Sequence, residues 1–371
     1  MPTTARALRA PRARVLAPQA LLVRLLRERV HDIVGEEDGD SIDIDRPPYR
    51  AGEIVAPEAL ASTIETLRGR MESLGSALPP SAEYERLVAF IDPIDGTREF
   101  CTGLGEQCSI CIGFADRESG VAVGGLVYRP LCEHRSWALG CAREGVAQSN
   151  LRPSPAGAAG AGAFLCSNGG TSNFLRGLQT ELGYDLAPMG GAGNKALSVL
   201  ELPRACYVQD RGVSRWDTCA AEAVLDAHGG VLAKLHPVLA AGASAARADA
   251  DAGAGADAGA GAGVDAGAGA GAGAAAALAR YSYFRGEQNA DFVPGLARLT
   301  PYNARPGVLS ESEAAKGAPP RYAATADETK PYANLCGLFA VGPAVVSDEA
   351  AWAGMLQVIR GVAEKQPPAF D

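Results

Sequence analysis

The sequence predicts a mixed α/β protein of about two domains, with an antiparallel sheet in the first part and an α/β unit in the second. The chain has 371 residues, which is more than one compact core usually holds. Strand-like runs at 108–114, 121–128 and 136–139 follow one another with only short turns between them, and this closeness favours antiparallel pairing. Farther on, a short apolar run at 163–166 leads through a Gly-containing loop to a helical pattern at 173–182, the order typical of an α/β unit.

The elements before this sheet lead toward acidic residues. Apolar spacing predicts a helix at 15–30, which runs into a short strand at 31–34 that ends before Glu36 and Glu37. After a second helix at about 57–74, the apolar run 87–91 has strand length and delivers Asp92 at its end. Acidic side chains at strand ends are well placed to face a cleft.

The second part begins after a connection at 154–162 that is rich in Ala, Gly and Pro. We therefore predict one domain at 1–155 and another at 156–371. Within the second domain, residues 189–195 form a Gly-rich turn that opens a helix at 196–201. Residues 240–279 are almost pure Ala, Gly and Asp, and since they carry too little apolar surface to order themselves, we expect a disordered insertion. A strand at 335–341 and a helix at 349–363 then close the chain.

Composition excludes several functional classes. The formal net charge is -9, so the chain lacks the basic balance of a nucleic-acid partner, and no apolar run is long enough to cross a bilayer. The nine cysteines lie mostly in strand-like contexts, which favours reduced core thiols and a cytoplasmic location. The first 27 residues contain arginines but no acid, a composition that leaves organellar targeting open as the alternative. The sequence does not predict an oligomeric state.

Two separated motifs carry the candidate chemistry. The segment Asp92-Pro93-Ile94-Asp95-Gly96-Thr97 holds two carboxylates around a short turn, and Asp217 stands about 120 residues later, where a helix begins. Mg²⁺ prefers oxygen ligands, usually one or two carboxylates per ion with water and phosphate completing its shell. Asp92, Asp95, the Ile94 carbonyl, Asp217 and Glu36 therefore predict a site for Mg²⁺, and two ions about 4 Å apart would suit phosphoryl displacement. Each piece alone is also compatible with a solvated turn or a helix cap; their coincidence favours the metal site.

These motifs resemble the two signatures of the inositol monophosphatase superfamily of Mg²⁺-dependent, lithium-sensitive phosphatases. The resemblance rests on Asp92 to Thr97, on Trp216-Asp217-Thr218-Cys219-Ala220, and on Gly229-Gly230. It covers roughly residues 15–236 and the strand near Leu335. The segments 33–38, 98–100 and 190–195 look most like the bisphosphate nucleotidase branch. Gln107-Cys108, Asp116 to Gly120 and Cys219 to Ala221 look like the inositol polyphosphate 1-phosphatase branch.

The resemblance implies a fold and a set of roles. The fold is an α/β (α+β) layered sandwich, in which an N-terminal α+β domain faces a C-terminal α/β domain with the site between them. The partner is a small phosphorylated substrate, a nucleotide bisphosphate or alternatively an inositol phosphate. Thr97 would orient the attacking water, and the amides of Gly96 and Thr97 would hold phosphate oxygens. The metal ligands implied are Glu36, Asp92, Ile94, Asp95 and Asp217; the substrate would also meet Asn168, Thr171, Gly191, Lys195 and Asp217.

One departure from the family pattern leaves a different class open. Family members usually carry an aspartate upstream of the Glu-Glu pair that helps the threonine activate water, and here no acid precedes Glu28. The sequence is therefore also compatible with a truncated start, or with a phosphatase-like protein that binds phosphorylated metabolites without hydrolysing them.

Overall fold

A computed structural model shows two sheets with helices between and outside them. The predicted helix at 15–30 lies almost wholly outside the described residues, and the predicted insertion at 240–279 and Glu36 lie outside them entirely. The structure describes residues 26, 29–35, 61–77, 81–154, 162–210, 213–235, 238–239, 280–281, 283, 333–334 and 337–368.

The first sheet has six strands in the order β1-β2-β3-β4-β5-β6. The pair β1 and β2 is parallel, and every later neighbour is antiparallel, as the short turns predicted. The helix before β2 is α1 (Ala61–Ala77), and a short α2 (Thr97–Cys101) follows β2. The strands are β1 (Asp32–Gly35), β2 (Leu87–Asp95), β3 (Ser109–Asp116), β4 (Ala122–Arg129), β5 (Ser136–Cys141) and β6 (Val146–Ser149).

The second sheet mixes parallel and antiparallel pairs. The strands β7 (Ala163–Cys166), β8 (Asp185–Pro188), β9 (Ala205–Gln209), β11 (Val231–Lys234) and β13 (Leu338–Val341) pair in the order β11-β13-β9-β7-β8. The strand β7 is parallel to both neighbours, and β13 is antiparallel to both of its own. A separate two-stranded ladder joins β10 (Val213–Ser214) to β12 (Ala333–Asn334). The helices here are α3 (Asn173–Leu182), α4 (Ala192–Glu201), α5 (Arg215–Ala227), α6 (Pro343–Val346) and α7 (Glu349–Lys365).

Helices α4 and α5 lie between the two sheets, which makes the structure the layered α/β sandwich that the sequence predicted. Helix α5 lies directly on β3, β4 and β5, at strand positions occupied by glycine. A Cβ on Gly125 would lie 2.6 Å from the carbonyl oxygen of Ala220, a separation that real Cβ atoms do not show. Helix α5, which carries Asp217, is therefore held close to the sheet whose strand β2 carries Asp92 and Asp95, because the contact strands lack side chains at these positions.

A hydrophobic core lies on the face of the second sheet that is opposite to α4 and α5. Phe164 of β7, Phe174 of α3 and Trp352 of α7 are buried together in it. The predicted helix at 173–182 is confirmed to the residue, since Ser172 caps its first turn and Gly183 ends it in the left-handed conformation.

Most predicted boundaries differ from the structure by one or two residues, and two differ by four. The strand predicted at 87–91 continues to Asp95, because pairing with β3 resumes at Asp95 and Ser109 after a register shift. The helix predicted at 196–201 begins at Ala192, so Lys195 lies inside a helix and not in the turn before it. The division into domains at residue 155 stays a prediction.

Arg280, Tyr281 and Tyr283 lie beside α5, and both tyrosines are buried. Tyr283 is buried, and its hydroxyl donates to Glu222 Oε2 at 2.6 Å while its N–H donates to the Gly120 carbonyl at 2.9 Å. Tyr281 donates to the Gly337 carbonyl. Arg280 reaches Asp226 at 2.6 Å. These contacts fasten α5 to the β3–β4 turn and to the start of β13.

Replacing Gly125 with Ala tests the close approach of α5. The added methyl group would meet backbone, which has little freedom to move, so we expect the free energy of unfolding to fall by about 1–3 kcal/mol. Urea denaturation measures it. Gly354→Ala is the matched control: Gly354 lies within α7 with open space around it, and this change should be stabilising by about 0.5–1 kcal/mol. Equal effects of the two substitutions would contradict the packing argument.

Glu222 gives the fold a testable pH dependence. Burial raises the pKa of its carboxyl to about 7, although Tyr283, Arg280 and Lys234 lower it. Between the unfolded value of about 4.3 and that folded value, the native protein binds more protons than the unfolded chain, so this contribution to stability is lost as pH rises. The substitution Glu222→Gln removes the titrating carboxyl and with it this pH-dependent contribution to stability. We expect the variant to gain stability relative to the wild type between pH 5 and 7.5 in urea unfolding; a difference that does not change with pH would count against the buried carboxyl.

Candidate metal centre

Three carboxylates from distant parts of the chain meet in one cluster. Asp92 and Asp95 come from β2, and Asp217 comes from the first turn of α5. One oxygen from each of the three lies within 4.8 Å of the other two. Asp92 and Asp95 are buried, and Asp217 is half-buried. The structure thus brings together the three aspartates that the sequence singled out.

Each of these carboxylates is held in place by backbone N–H groups. Asp92 Oδ1 accepts from the N–H of Ile94 at 2.9 Å, which closes a tight turn within the motif. Asp217 Oδ2 accepts from the N–H of Ser214 at 2.7 Å, at the start of α5. A carboxylate has about four acceptor positions, so these bonds orient the groups and still leave lone pairs for a cation.

Asp95 is tied to helix α4 as well. Its Oδ1 accepts from the N–H of Ala192 and its Oδ2 from the N–H of Gly193, both at 2.8 Å. Ser109 Oγ donates to Oδ2 at 2.5 Å. Asp95 therefore satisfies two amides that the helix cannot satisfy itself, and its negative charge meets the positive end of the helix dipole.

The Gly-rich turn makes this approach possible. Gly191 has φ +69°, a conformation that favours glycine, and it redirects the chain into α4. A Cβ on Gly193 would lie 2.5 Å from the sulfur of Cys111 and 2.7 Å from Ser109 Oγ. A larger residue at 193 would push the helix away from β3 and from Asp95.

The electrostatics of the cluster favour a bound cation. Burial and the negative charge of Asp95 raise the pKa of the Asp217 carboxyl to about 7. The N–H of Ser214, a hydrogen bond shared with Asp92 and the charge of Lys195 act in the opposite direction. Burial lowers the pKa of the Lys195 ammonium, while Asp95, Glu99 and Asp217 oppose that effect. Crowded, buried like charges are costly unless a positive ion joins them. The oxygen donors and the excess negative charge therefore fit a hard divalent cation.

Thr97 and Ile94 are neighbours on the same turn. Thr97 is exposed, and its hydroxyl donates to the Ile94 carbonyl at 3.0 Å. Gly96 precedes it with φ +90°, and the N–H of Thr97 stands at the first position of α2, where no intrahelical acceptor exists. The predicted phosphate-binding amide and the predicted water-orienting hydroxyl thus lie together on the turn between Asp95 and α2.

The other predicted residues have internal partners. Lys195 is buried, with Nζ 3.3 Å from the Met189 carbonyl and 4.8 Å from the centre of the Tyr207 ring. Thr171 is half-buried, and its hydroxyl and carbonyl accept from Arg176. Asn168 donates to two side chains of the first part of the chain, described below.

Three residues of this region were missed from the sequence as members of the site. Ser109 donates to Asp95, and Glu99 and Gln107 both accept from Asn168. Their partners lie far away in the sequence, so spacing alone gave no sign of them. Ser109 would have been the easiest of the three to predict from the sequence, because a hydroxyl on the buried face of an apolar strand needs a polar partner.

The cluster predicts opposite effects for two aspartate substitutions in metal-free protein. Asp92→Asn removes one crowded charge and keeps an acceptor for Ile94, so we expect the free energy of unfolding to rise or stay equal. Asp95→Asn weakens the cap of α4 and should lower the free energy of unfolding by about 1 kcal/mol. Urea denaturation with a chelator present measures both.

The same variants test metal binding. Added Mg²⁺ or Mn²⁺ should raise the melting temperature of the wild type by mass action and leave both variants unchanged. Asp185→Asn, at an exposed position of β8, is the matched control and should respond to metal like the wild type. A metal response that survives in Asp92→Asn would remove that residue from the ligand set.

Comparisons with known proteins show the family to which this chain is similar. The model of the inositol monophosphatase family matches residues 15–257, which is more than half of the chain. The mouse 3'(2'),5'-bisphosphate nucleotidase 1 is 30% identical over 213 residues, covering 55% of this chain and 64% of the relative. The mouse Golgi-resident adenosine 3',5'-bisphosphate 3'-phosphatase is 26% identical over 171 residues, covering 43% and 45%. The chain thus spans just under two thirds of the first relative's length.

The solved structures to which the chain is similar include inositol monophosphatases. The inositol monophosphatase of Anabaena has a TM-score of 0.34 and 19% identity, covering 48% of this chain and 75% of that one. Among the described residues, no helix is long and apolar enough to span a membrane. Since the family model covers both aspartate motifs, the chain belongs to the inositol monophosphatase family.

Proposed function

We propose that this chain is a Mg²⁺-dependent phosphomonoesterase that removes the 3'-phosphate from adenosine 3',5'-bisphosphate. The observation that carries the proposal is the cluster of Asp92, Asp95 and Asp217, three carboxylates oriented by backbone N–H groups beside an exposed threonine. The names of the mouse relatives support the nucleotide substrate.

The residues divide into a metal-holding set and a substrate-holding set. Asp92, Asp95, Asp217 and the Ile94 carbonyl would hold Mg²⁺, with Glu36 added from outside the described residues. When bound, Mg²⁺ supplies positive charge against the phosphate and lowers the pKa of water. The N–H groups of Gly96 and Thr97 would receive phosphate oxygens at the turn before α2.

Thr97 would orient the attacking water. Its hydroxyl hydrogen is already given to the Ile94 carbonyl, so the lone pairs of Oγ are the part left for a water molecule. A water held by donating one hydrogen to Thr97 is fixed in direction, and fixed direction removes part of the entropic barrier to attack.

The remaining predicted residues would contact the nucleotide. Lys195 contributes positive charge from beneath the Gly-rich turn, where it would act on the second phosphate as a point charge. Thr171 and Gly191 lie on the two loops that lead into α3 and α4.

The proposal is tested by measuring phosphate release from adenosine 3',5'-bisphosphate with the purified chain and Mg²⁺. We expect turnover that Asp92→Asn and Asp217→Asn reduce by at least about 100-fold, since each removes charge that the transition state requires. Asp185→Asn should retain full activity. No turnover of any phosphomonoester would favour a phosphometabolite-binding protein.

The substrate class is decided by a second arm with inositol 1,4-bisphosphate. Gln107-Cys108 resembles the inositol polyphosphate branch, and a higher kcat/KM for the inositol compound would overturn the nucleotide assignment. We expect the nucleotide to be preferred, and lithium to inhibit whichever reaction is observed.

A further inference from the structure

Gln107 joins two loops of the second part of the chain to the first. It ends the short 3₁₀ helix Gly105–Gln107, just before β3. Its Oε1 accepts from Asn168 Nδ2 at 2.8 Å and from the N–H of Gly190 at 2.6 Å. Asn168 lies in the loop between β7 and α3, and Gly190 lies in the turn that precedes α4.

The chemistry of the donors fixes the orientation of both side-chain amides. A backbone N–H only donates, so the atom of Gln107 that faces Gly190 must be the carbonyl oxygen. The atom of Asn168 that faces this oxygen must then be its NH₂ group. Glu99 Oε1 accepts from the same NH₂ group at 3.0 Å, and Glu99 is buried.

This arrangement leaves Asn168 with one kind of group to offer a ligand. Its NH₂ has two hydrogens, and both are donated, one to Glu99 and one to Gln107. The carbonyl oxygen remains, and a carbonyl oxygen only accepts. Asn168 therefore suits a hydroxyl or amino group of a substrate and does not suit a phosphate oxygen.

The network also reaches the metal centre. A Cβ on Gly191 would lie 2.7 Å from the main-chain oxygen of Gln107 and 3.0 Å from Asp95 Oδ2. The two residues after Gly191 donate their N–H groups to Asp95. Gln107 thus braces the turn on one side while Asp95 holds it on the other.

We propose that Gln107 is a positioning residue that locks the carbonyl oxygen of Asn168 toward substrate, so that the site selects phosphomonoesters bearing a hydroxyl or amino donor on the nucleoside. This inference deepens the proposed function and rests on it. Gln107 acts through Asn168 and Gly190, and it touches no reacting atom.

The test replaces Gln107 with Met, which keeps the side-chain length and removes the acceptor. Steady-state phosphate release is measured with adenosine 3',5'-bisphosphate and with p-nitrophenyl phosphate, which carries no hydroxyl or amino group. For Gln107→Met we expect KM for the nucleotide to rise about tenfold, the order expected for lost hydrogen bonds, with kcat within about twofold. KM for p-nitrophenyl phosphate should stay unchanged.

Two further variants separate positioning from folding. Gln107→Glu keeps an oxygen that accepts from Asn168 and Gly190, and it should recover KM to within about threefold of the wild type. Gln148→Leu, at an exposed position of β6, is the control and should match the wild type. Equal losses with both substrates, no rise in KM, or no recovery in Gln107→Glu would overturn the proposal.

A failure of the proposed function gives a different result. If the wild type hydrolyses neither compound, the proposed activity is refuted. The positioning role of Gln107 is then tested by measuring the binding of adenosine 5'-monophosphate and phenyl phosphate by titration calorimetry in the presence of Mg²⁺. Weaker binding of the nucleotide alone in Gln107→Met supports the positioning role. Unchanged nucleotide binding, or none in the wild type, refutes it.

Discussion

The structure depends on one carboxylate, that of Asp95. It ends β2, accepts the first two amides of α4, receives the hydroxyl of Ser109, and faces Asp92 and Asp217 across the metal centre. The same group therefore joins the first sheet to the helix layer and supplies charge to the site. Any shift of α4 relative to β2 would move a candidate metal ligand, so packing between the layers and geometry at the site are linked through a single side chain.

That linkage explains why elements with local signals were predicted well and others were not. The helix at 173–182 was predicted correctly because Ser172 and Gly183 supply its cap and its stop within the element. The start of α4 was predicted wrongly because its cap comes from a distant residue. The N–H of Ala192 donates to Asp95, which lies 97 residues earlier in the sequence. The strands β8, β9 and β11 were not predicted, since short apolar runs at sheet positions give no clear period. They are recognisable only once their neighbours in the second sheet are known.

The site shows the same division. Asp92, Asp95 and Asp217 could be predicted because acidic residues stood where the sequence suggested strand and helix ends. The network of Glu99, Gln107 and Asn168 could not, because its hydrogen bonds join residues 61 and 69 positions apart. The family resemblance implied only that Asn168 meets the substrate, and it did not say which of its groups would do so. In the structure both hydrogens of the Asn168 NH₂ group are donated, so only its carbonyl oxygen is left to accept a hydrogen bond. This distinction follows only from knowing which partners accept those hydrogens.

Under the proposed function, the turn at Thr97 limits how water could be activated. An aspartate or glutamate beside the threonine could receive a proton, whereas the Ile94 carbonyl that accepts the Thr97 hydrogen has no useful basicity at neutral pH. The bond therefore fixes the direction of the hydroxyl and does not raise its power to remove a proton. Orientation and proton removal are separable contributions to the rate. Under the proposed function, Thr97 would supply the first among the described residues, and a cation held by Asp92, Asp95 and Asp217 would supply the second by lowering the pKa of water.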